Sequence, residues 1–510
     1  MQFIQGKNRE QSILFPENLD QIVDSENEVR IIDLFVESIN LVDFKFIIKE
    51  SKEGRPPYNP KDLLKLFVYG YLNSIRSSRT LEKECKRNIE VIWLMKELAP
   101  DHNTISNFRR DNEKAIRKVF RFTVSVANSF DLIGGKLIAG DSTKLRAQNS
   151  KKNNFNEKKI ARHLEYIDNK LTEYNEALSE ADEDNKKIIA QEIIKQNNRR
   201  EQYDKLSDQL KQTGAGQIST SDPDSRQLIT RNNITEVGYS VQTTVDAKNN
   251  FPIDYKVTNQ NDSKAMSGML RRTKVILQSS EFTALYDKGY HTGSEIKIAV
   301  ELGVNIMVAI PDVASNAPNV NYNIANFQYD YSTDAYTCPQ GNVLNTNGRW
   351  YKKDRGKSFT QMKHYKTKAC FSCPVKNECT KNKDGRLIER SEHAPFIDQN
   401  KLNLEKNPRL YKKRQAIVEH PYGIIKRQWG FSYVTTKKGL KRASADIGLI
   451  FVAYNLRRLI NCVDKNTLKK FLEKLVLFVF EKTAFQSSHK LILEHSIFIK
   501  NYNNYFLKAA

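Results

Sequence analysis

Two aspartates stand where apolar runs give way to small and basic residues, Asp141 in AGDSTKLRA and Asp287 in LYDKGYHTG. Each reads as the end of a buried strand, which brings its carboxylate out at the carboxyl edge of a sheet, where open α/β folds bind ligands. Two such carboxylates, joined by a glutamate from a helix packed beside them, can hold two Mg²⁺ or Mn²⁺ ions about 3.5–4 Å apart. That arrangement suits phosphodiester chemistry. One ion activates the attacking water or 3′-hydroxyl, the other steadies the leaving oxygen, and both offset charge on the transferring phosphate. The plainer alternative is that these residues only cap strand ends. A chain with 60 Asp and Glu offers many acidic triples. Asp246 at a strand end, Asp262 at a helix start and Glu405 ahead of a helix are rivals, and Asp246, in TTVDAKNN, reads as a turn residue.

A second group is Cys338 in YTCPQGN with Cys370, Cys373 and Cys379 in CFSCPVKNEC. A C-x2-C pair with two further thiols suits structural Zn²⁺. Six cysteines in 510 residues do not make a disulfide scaffold. The segment around them is polar, so a structural metal would help it fold. Unligated thiols, or His364 or His393 as fourth ligand, remain open. Cys85 and Cys462 stand alone in apolar helices and read as packing residues.

Positioning these groups takes several kinds of element. Residues 1 to about 130 read as helices, with Pro60 ahead of DLLKLFVYGYLNSI, then TLEKECKRNIEVIWLMKEL, then HNTISNFRRDNEKAIRKVFRF after Pro100. Thr80 can cap one helix and Asp101 to Thr104 the next, which carries Arg109 and Arg110, an arrangement like a helix-turn-helix. An ordinary helical bundle with solvated arginines is the alternative. KLIAGDST reads as a strand. From about 151 to 213 the apolar residues Ile160, Leu164, Ile167, Leu171, Tyr174 and Leu178 mark a heptad seam, followed after SEADEDN by a second helical run, which together predict an antiparallel helical hairpin. GYSVQTTVDA and FPIDYKVTN form a β-hairpin, and a helix over 263–278, a strand in EFTALYDKGY, a helix in TGSEIKIAVELG and a strand in VNIMVAI follow. Residues 311 to about 400 interrupt this α/β pattern, and helix returns near Pro408.

The charge balance names the partner class. With 82 Lys and Arg against 60 Asp and Glu, the formal charge is +22, a field that attracts polyanions and makes nucleic acid the default partner. The opening MQFIQGKNRE lacks the apolar centre of a signal peptide, and the apolar stretch Leu475 to Phe480 is far too short for a bilayer. A cytoplasmic, nucleoid-associated protein without membrane contact is expected.

YNPKDLLKLFVYGYL with PDHNTISNFRR, then AGDSTKLRA, then YDKGY, resemble in turn the N-terminal helical domain and the first two catalytic motifs of the DDE transposases of bacterial insertion sequences. The third region resembles that family's Tyr, Arg, Glu, Lys helix signature at Tyr411, Arg414, Glu419 and Lys426. In the family pattern Arg stands four positions before Glu, whereas Arg414 stands five before Glu419 and position 415 is Gln. Either Arg414 turns inward at a different angle or Lys413 and Arg414 share phosphate contacts. The resemblance spans roughly residues 58–460. It implies an α/β fold with a ribonuclease H-like core and mixed sheet, interrupted by a helical hairpin and a Cys-rich insertion and preceded by an all-helical domain. It implies Asp141, Asp287 and Glu419 as catalytic ligands of two Mg²⁺ or Mn²⁺ ions, with Arg109, Arg110, Tyr411, Arg414 and Lys426 on DNA. The partners it implies are double-stranded DNA, as terminal inverted repeats and target, and a second copy of the chain on DNA. The expected divisions are 1–130 (helical, DNA-binding), 131–310 (core, with hairpin 151–213), 311–405 (Cys-rich insertion), 406–462 (core helices with the third acid) and 463–510 (helical basic tail). A metal-dependent nuclease without joining activity and an inactive domesticated DNA-binding protein are the alternatives.

Overall fold

The computed structural model describes residues 18–48, 56–229, 234–312, 317–355, 358–435 and 438–487, so the opening residues and the end of the expected basic tail lie outside it. The chain divides into two compact units, one of Met1–Gly134, Ser142–Asn261 and Ile417–Ala510, the other of Gly135–Asp141 and Asp262–Ala416.

The first unit begins with α1 (Glu28–Glu37), α2 (Pro60–Leu72), α3 (Ser78–Arg87), α4 (Ile89–Leu94), α5 (His102–Asp111) and α6 (Glu113–Ser129). Asn27, Asn59, Ser77, Asn88 and Asp101 cap the first five, each side chain accepting a backbone N–H of the first turn. Thr80, the expected cap, lies inside α3, because Ser77 ends the preceding loop three residues earlier. The run TLEKECKRNIEVIWLMKEL breaks at Asn88, whose short amide caps α4. With α4 intervening, α3 and α5 are not the two successive helices of a helix-turn-helix.

The strand β1 (Leu137–Arg146) carries Asp141, and β2 (Asn154–Phe155) opens the insertion. The helices α7 (Glu157–Glu180) and α8 (Glu183–Thr213) pack as the predicted antiparallel hairpin, with Ile160 and Ile167 buried, His163 stacked on Tyr203 and Asp168 3.3 Å from Arg200. Then come β3 (Ile218–Ser219), β4 (Arg226–Ile229), β5 (Thr235–Asp246) and β6 (Phe251–Thr258). The strand β5 pairs antiparallel with both β4 and β6. Beside it runs the second half of β1, where Ala147 N–H donates to the Val237 carbonyl at 2.9 Å.

The second unit holds the first half of β1 with α9 (Met266–Leu277), β7 (Thr283–Tyr286), α10 (Gly293–Glu301) and β8 (Asn305–Val308), and β1, β7 and β8 pair in parallel. The chain order β1, β5, β6, α9, β7, α10, β8 is that of the expected ribonuclease H-like core. The Cys-rich insertion is not irregular: β9 (Gln328–Asp330), β10 (Ala335–Thr337), β11 (Val343–Arg355), β12 (Ser358–Lys366) and, after α11 (Lys376–Cys379), β13 (Ile388–Ser391) make a five-stranded antiparallel sheet. Its small core is Phe327, Tyr336, Leu344, Tyr365 and Ile388. The helix α12 (Ala394–Lys406) returns to cover β8, where the buried Asn400 amide bonds both the N–H and the carbonyl of Val308 at 2.8 Å.

Finally α13 (Pro408–Gly423) leads to α14 (Leu440–Cys462) and α15 (Lys465–Ser487). Sixteen residues of α14 between Ala443 and Ile460 are buried, so it is apolar on nearly every face, as a helix inside a core must be. It packs on α2, α5, α6 and β6 and forms the centre of the first unit. Among the described residues no helix is long and apolar enough to cross a membrane.

Candidate active site

In the second unit the parallel register pairs Leu137 with Thr283, Ile138 with Ala284 and Ala139 with Leu285. Continued two residues, it sets Asp141 opposite Asp287, on strands spaced about 4.8 Å apart. Gly140 permits this approach: a Cβ there would stand 2.0 Å from the Tyr286 ring. Gly140→Ala should therefore displace Tyr286 and disturb the alignment of both carboxylates. Asp287 Oδ1 accepts the Gly289 N–H at 2.9 Å, so Asp287 does cap a turn as well. Asp262 is close by, since a Cβ on Gly289 would lie 3.1 Å from Asp287 Oδ1 and 3.8 Å from Asp262 Oδ2.

The first half of α13 closes on this pair. The Tyr411 hydroxyl donates to the Tyr286 carbonyl at 3.0 Å, tying the helix to the end of β7. Arg414 Nη1 lies 3.5 Å from Asp141 Oδ2, while Lys413 and Gln415 are exposed. Arg414 thus turns inward alone. Burial, first, and the charges of Asp287 and Asp141 hold the Tyr411 phenol above its ordinary pKa, against the opposing pull of Arg414. One tyrosine therefore feels both carboxylates.

Glu419 follows on α13 and is exposed. Two residues on, Pro421 inside the helix has no N–H to donate, and the chain widens into a π turn over Ile424–Gln428. In the first unit Lys426 Nζ donates to the Lys144 carbonyl at 3.0 Å, so this lysine holds the end of β1.

The other predicted residues fall differently. Arg109 does not face solvent: only 5% exposed, its guanidinium donates to the Tyr71 hydroxyl at 2.9 Å and lies 3.4 Å from Asp446 Oδ1. Arg76 completes this group, 2.5 Å from Asp446 Oδ2, and Tyr71 donates to Asp446 as well. As placed, Arg109 serves the core of the helical region and offers no exposed contact for DNA. The sequence reading missed this group, although a lone acid in the apolar run ASADIGLIFVAY was its signal. Arg110 is exposed and pairs with Asp111 at 2.5 Å. Asp246 is a turn residue as expected, its Oδ1 accepting the Gly134 and Lys248 N–H groups, each at 2.9 Å. Glu405 sits on α12, 3.9 Å from Lys401.

Cys338, Cys370, Cys373 and Cys379 all line one cavity of about 30 Å³, which neither His364 nor His393 lines. Burial, chiefly, raises the Cys379 thiol pKa; Arg386 opposes this and the three neighbouring thiols add to it. Even so, among the described residues no group of three or more His, Cys, Asp or Glu is drawn together closely enough to hold a metal ion. The donor set itself suits a divalent cation, since Asp141 and Asp287 bring two carboxylates onto or next to the paired strands β1 and β7, but Arg414, 3.5 Å from Asp141, would have to give way to a bound cation.

Comparison with known proteins agrees with this layout. Residues 17–111 match the family described as Transposase domain (DUF772), and residues 337–460 match the family described as Transposase DDE domain. No curated protein matches the sequence. Among solved structures, the chain is similar to the piggyBac transposase in a synaptic complex with hairpin DNA, at 9% identity and a TM-score of 0.29, over 94% of this chain and 86% of that one. That likeness is too distant to bear on the fold or the site. The chain thus carries a segment similar to the Transposase domain (DUF772) family over its N-terminal helices and one similar to the Transposase DDE domain family spanning Arg414 and Glu419.

Proposed function

We propose that this transposase binds the ends of its own mobile DNA element, cuts them and joins them to target DNA, using Asp141, Asp287 and Glu419 as ligands of two divalent metal ions. The observation that supports this reading is the parallel pairing of β1 and β7 from Leu137–Thr283 to Ala139–Leu285, which, continued two residues, would bring Asp141 opposite Asp287. Magnesium or manganese, when bound, would supply an activated water or 3′-hydroxyl and neutralise charge on the phosphate. Arg414, 3.5 Å from Asp141, holds that carboxylate in place until a cation displaces it. Tyr411 fixes the angle at which α13 meets β7. Both element ends must be processed together, which implies at least two copies of the chain on DNA.

Incubating the protein with Mg²⁺, a DNA fragment ending in the element's inverted repeat and a supercoiled target plasmid tests the reading. Fragment covalently joined to plasmid is the expected product. Cut ends without joining would indicate a nuclease, and binding without cutting a domesticated protein.

The cysteine cavity fits a structural zinc ion held by Cys338, Cys370, Cys373 and Cys379. The insertion has only a small apolar core, and the Asn342 N–H donates to Cys338 Sγ at 3.3 Å, which orients that sulfur. About one equivalent of zinc per chain is expected by elemental analysis. Cys370→Ser with Cys373→Ser should lose it. Zinc-free protein freshly purified without chelator would leave four packing thiols.

A further inference from the structure

A cleft of about 530 Å³ opens in the first unit between the start of α3, one side of α5 along its length, and the segment leading into α14. Its lining carries Arg76, Arg79, His102, Arg109, Arg110 and Arg442, and no carboxylate. Matching each cation with its partner gives the residual charge. Arg110 pairs with Asp111 and His102 with Glu82, whereas Arg76 and Arg109 share one carboxylate, Asp446. Arg79 and Arg442 are exposed and have no carboxylate partner among the described residues. One unshared guanidinium charge together with Arg79 and Arg442 leaves three positive charges facing a single cleft.

The floor of the cleft points to a ligand independently. Arg76 Nε and Nη1 and Arg109 Nε are buried without a hydrogen-bond acceptor, on side chains each only 5% exposed. Stacking holds these planes, with Arg76 4.5 Å from the Phe431 ring and Arg109 5.3 Å from that of Phe67, but gives their N–H edges nothing to bond. The walls add donors suited to the same chemistry, since Ser78, Asn103 and Ser106 line the cleft at the positive ends of two helices.

We infer that this cleft seats the phosphate backbone of DNA, through Arg79 and Arg442 at its rim, above the net positive charge of the buried Arg76–Arg109–Asp446 group. The inference rests on the transposase reading and extends it to a contact surface separate from Asp141 and Asp287. Guanidiniums, hydroxyls and amides without an acidic neighbour recognise phosphate oxygens irrespective of base, so this contact positions DNA without reading sequence.

The test uses the full chain and a 40-base-pair duplex of arbitrary sequence, with binding measured at several salt concentrations. Each phosphate contact contributes roughly −0.9 to the slope of log K against log salt, so Arg79→Ala with Arg442→Ala should make the slope shallower by about 2. The same charge loss on α8, Lys187→Ala with Lys211→Ala, should change it by less than half as much. Equal changes in both double variants, or an unchanged slope in the cleft variant while the parent stays salt-sensitive, would overturn the cleft and leave the transposase reading standing. Parent protein that fails to bind duplex at all would sink both. Inorganic phosphate at constant ionic strength should not displace the duplex; if it does so from the parent and not from the cleft variant, the cleft is a small-anion site and the assignment to DNA fails.

Discussion

Asp141→Asn, Asp287→Asn and Glu419→Gln are each expected to lower strand nicking by roughly 10²–10³-fold or more, because each removes a metal-binding charge that the transition state needs. Shape is nearly conserved, so folding should survive, and binding to element ends should hold or tighten slightly as a negative charge is lost. Combining two of these substitutions should add little, as for groups that act as a unit. Asp246→Asn and Glu405→Gln should stay within a few-fold of the parent, since one carboxylate serves a turn and the other an exposed helix. Asp262→Asn is the discriminating variant, because its carboxylate shares the neighbourhood of Gly289 with Asp287. If Asp262→Asn abolished nicking while Glu419→Gln did not, the third ligand would be Asp262. If every variant nicked like the parent in both Mg²⁺ and Mn²⁺, the catalytic assignment would be wrong.

The second large effect concerns stability. Asp446→Ala leaves Arg76 and Arg109 buried without their counter-charge, and removing one partner of such a group costs about 3–5 kcal/mol. A lower urea midpoint, followed by circular dichroism, measures this loss. A midpoint unchanged within error would mean that water replaces the carboxylate. The same group makes a pH prediction. Burial alone would raise the Asp446 pKa, but Arg76, Arg109, Tyr71 and the Thr435 N–H outweigh it and hold the value below the usual carboxylate range. A depressed folded pKa adds stability above the unfolded value of about 3.9, and that stability is lost as pH falls toward the folded value. In the Asp446→Ala protein this part of the acid-side loss should be missing.

Periodic segments were legible in the sequence. The α7–α8 hairpin, the β5–β6 hairpin and the strand end at Asp287 follow from apolar spacing, because burial imposes that spacing directly, whereas Asp141 does not end its strand as expected but lies within β1, which runs on to Arg146 through residues too polar to read as strand. The five-stranded sheet of the Cys-rich insertion was not legible. Strands such as β9 and β10 are three residues long and partly solvent-facing, so little alternation marks them. Arg109 was misjudged for a related reason. An arginine in the last turn of a polar helix looks solvated until Asp446, 337 positions later, is found to bury it. The inward turn of Arg414 was open at that level too, since the choice between it and Lys413 depends on which face of α13 meets β1 and β7.

The central place of α14 bears on how the protein is made. Tyr71, Arg76 and Arg109 cannot close around Asp446 until the ribosome has added at least another 337 residues, roughly 20–70 s of synthesis. During that interval α2, α5 and α6 lack the helix that fills the space between them, and their apolar faces are open to chaperones. A premature stop anywhere before Leu440 would therefore yield a product without a finished helical core. Such fragments should be cleared by proteases and should not accumulate beside the full-length protein.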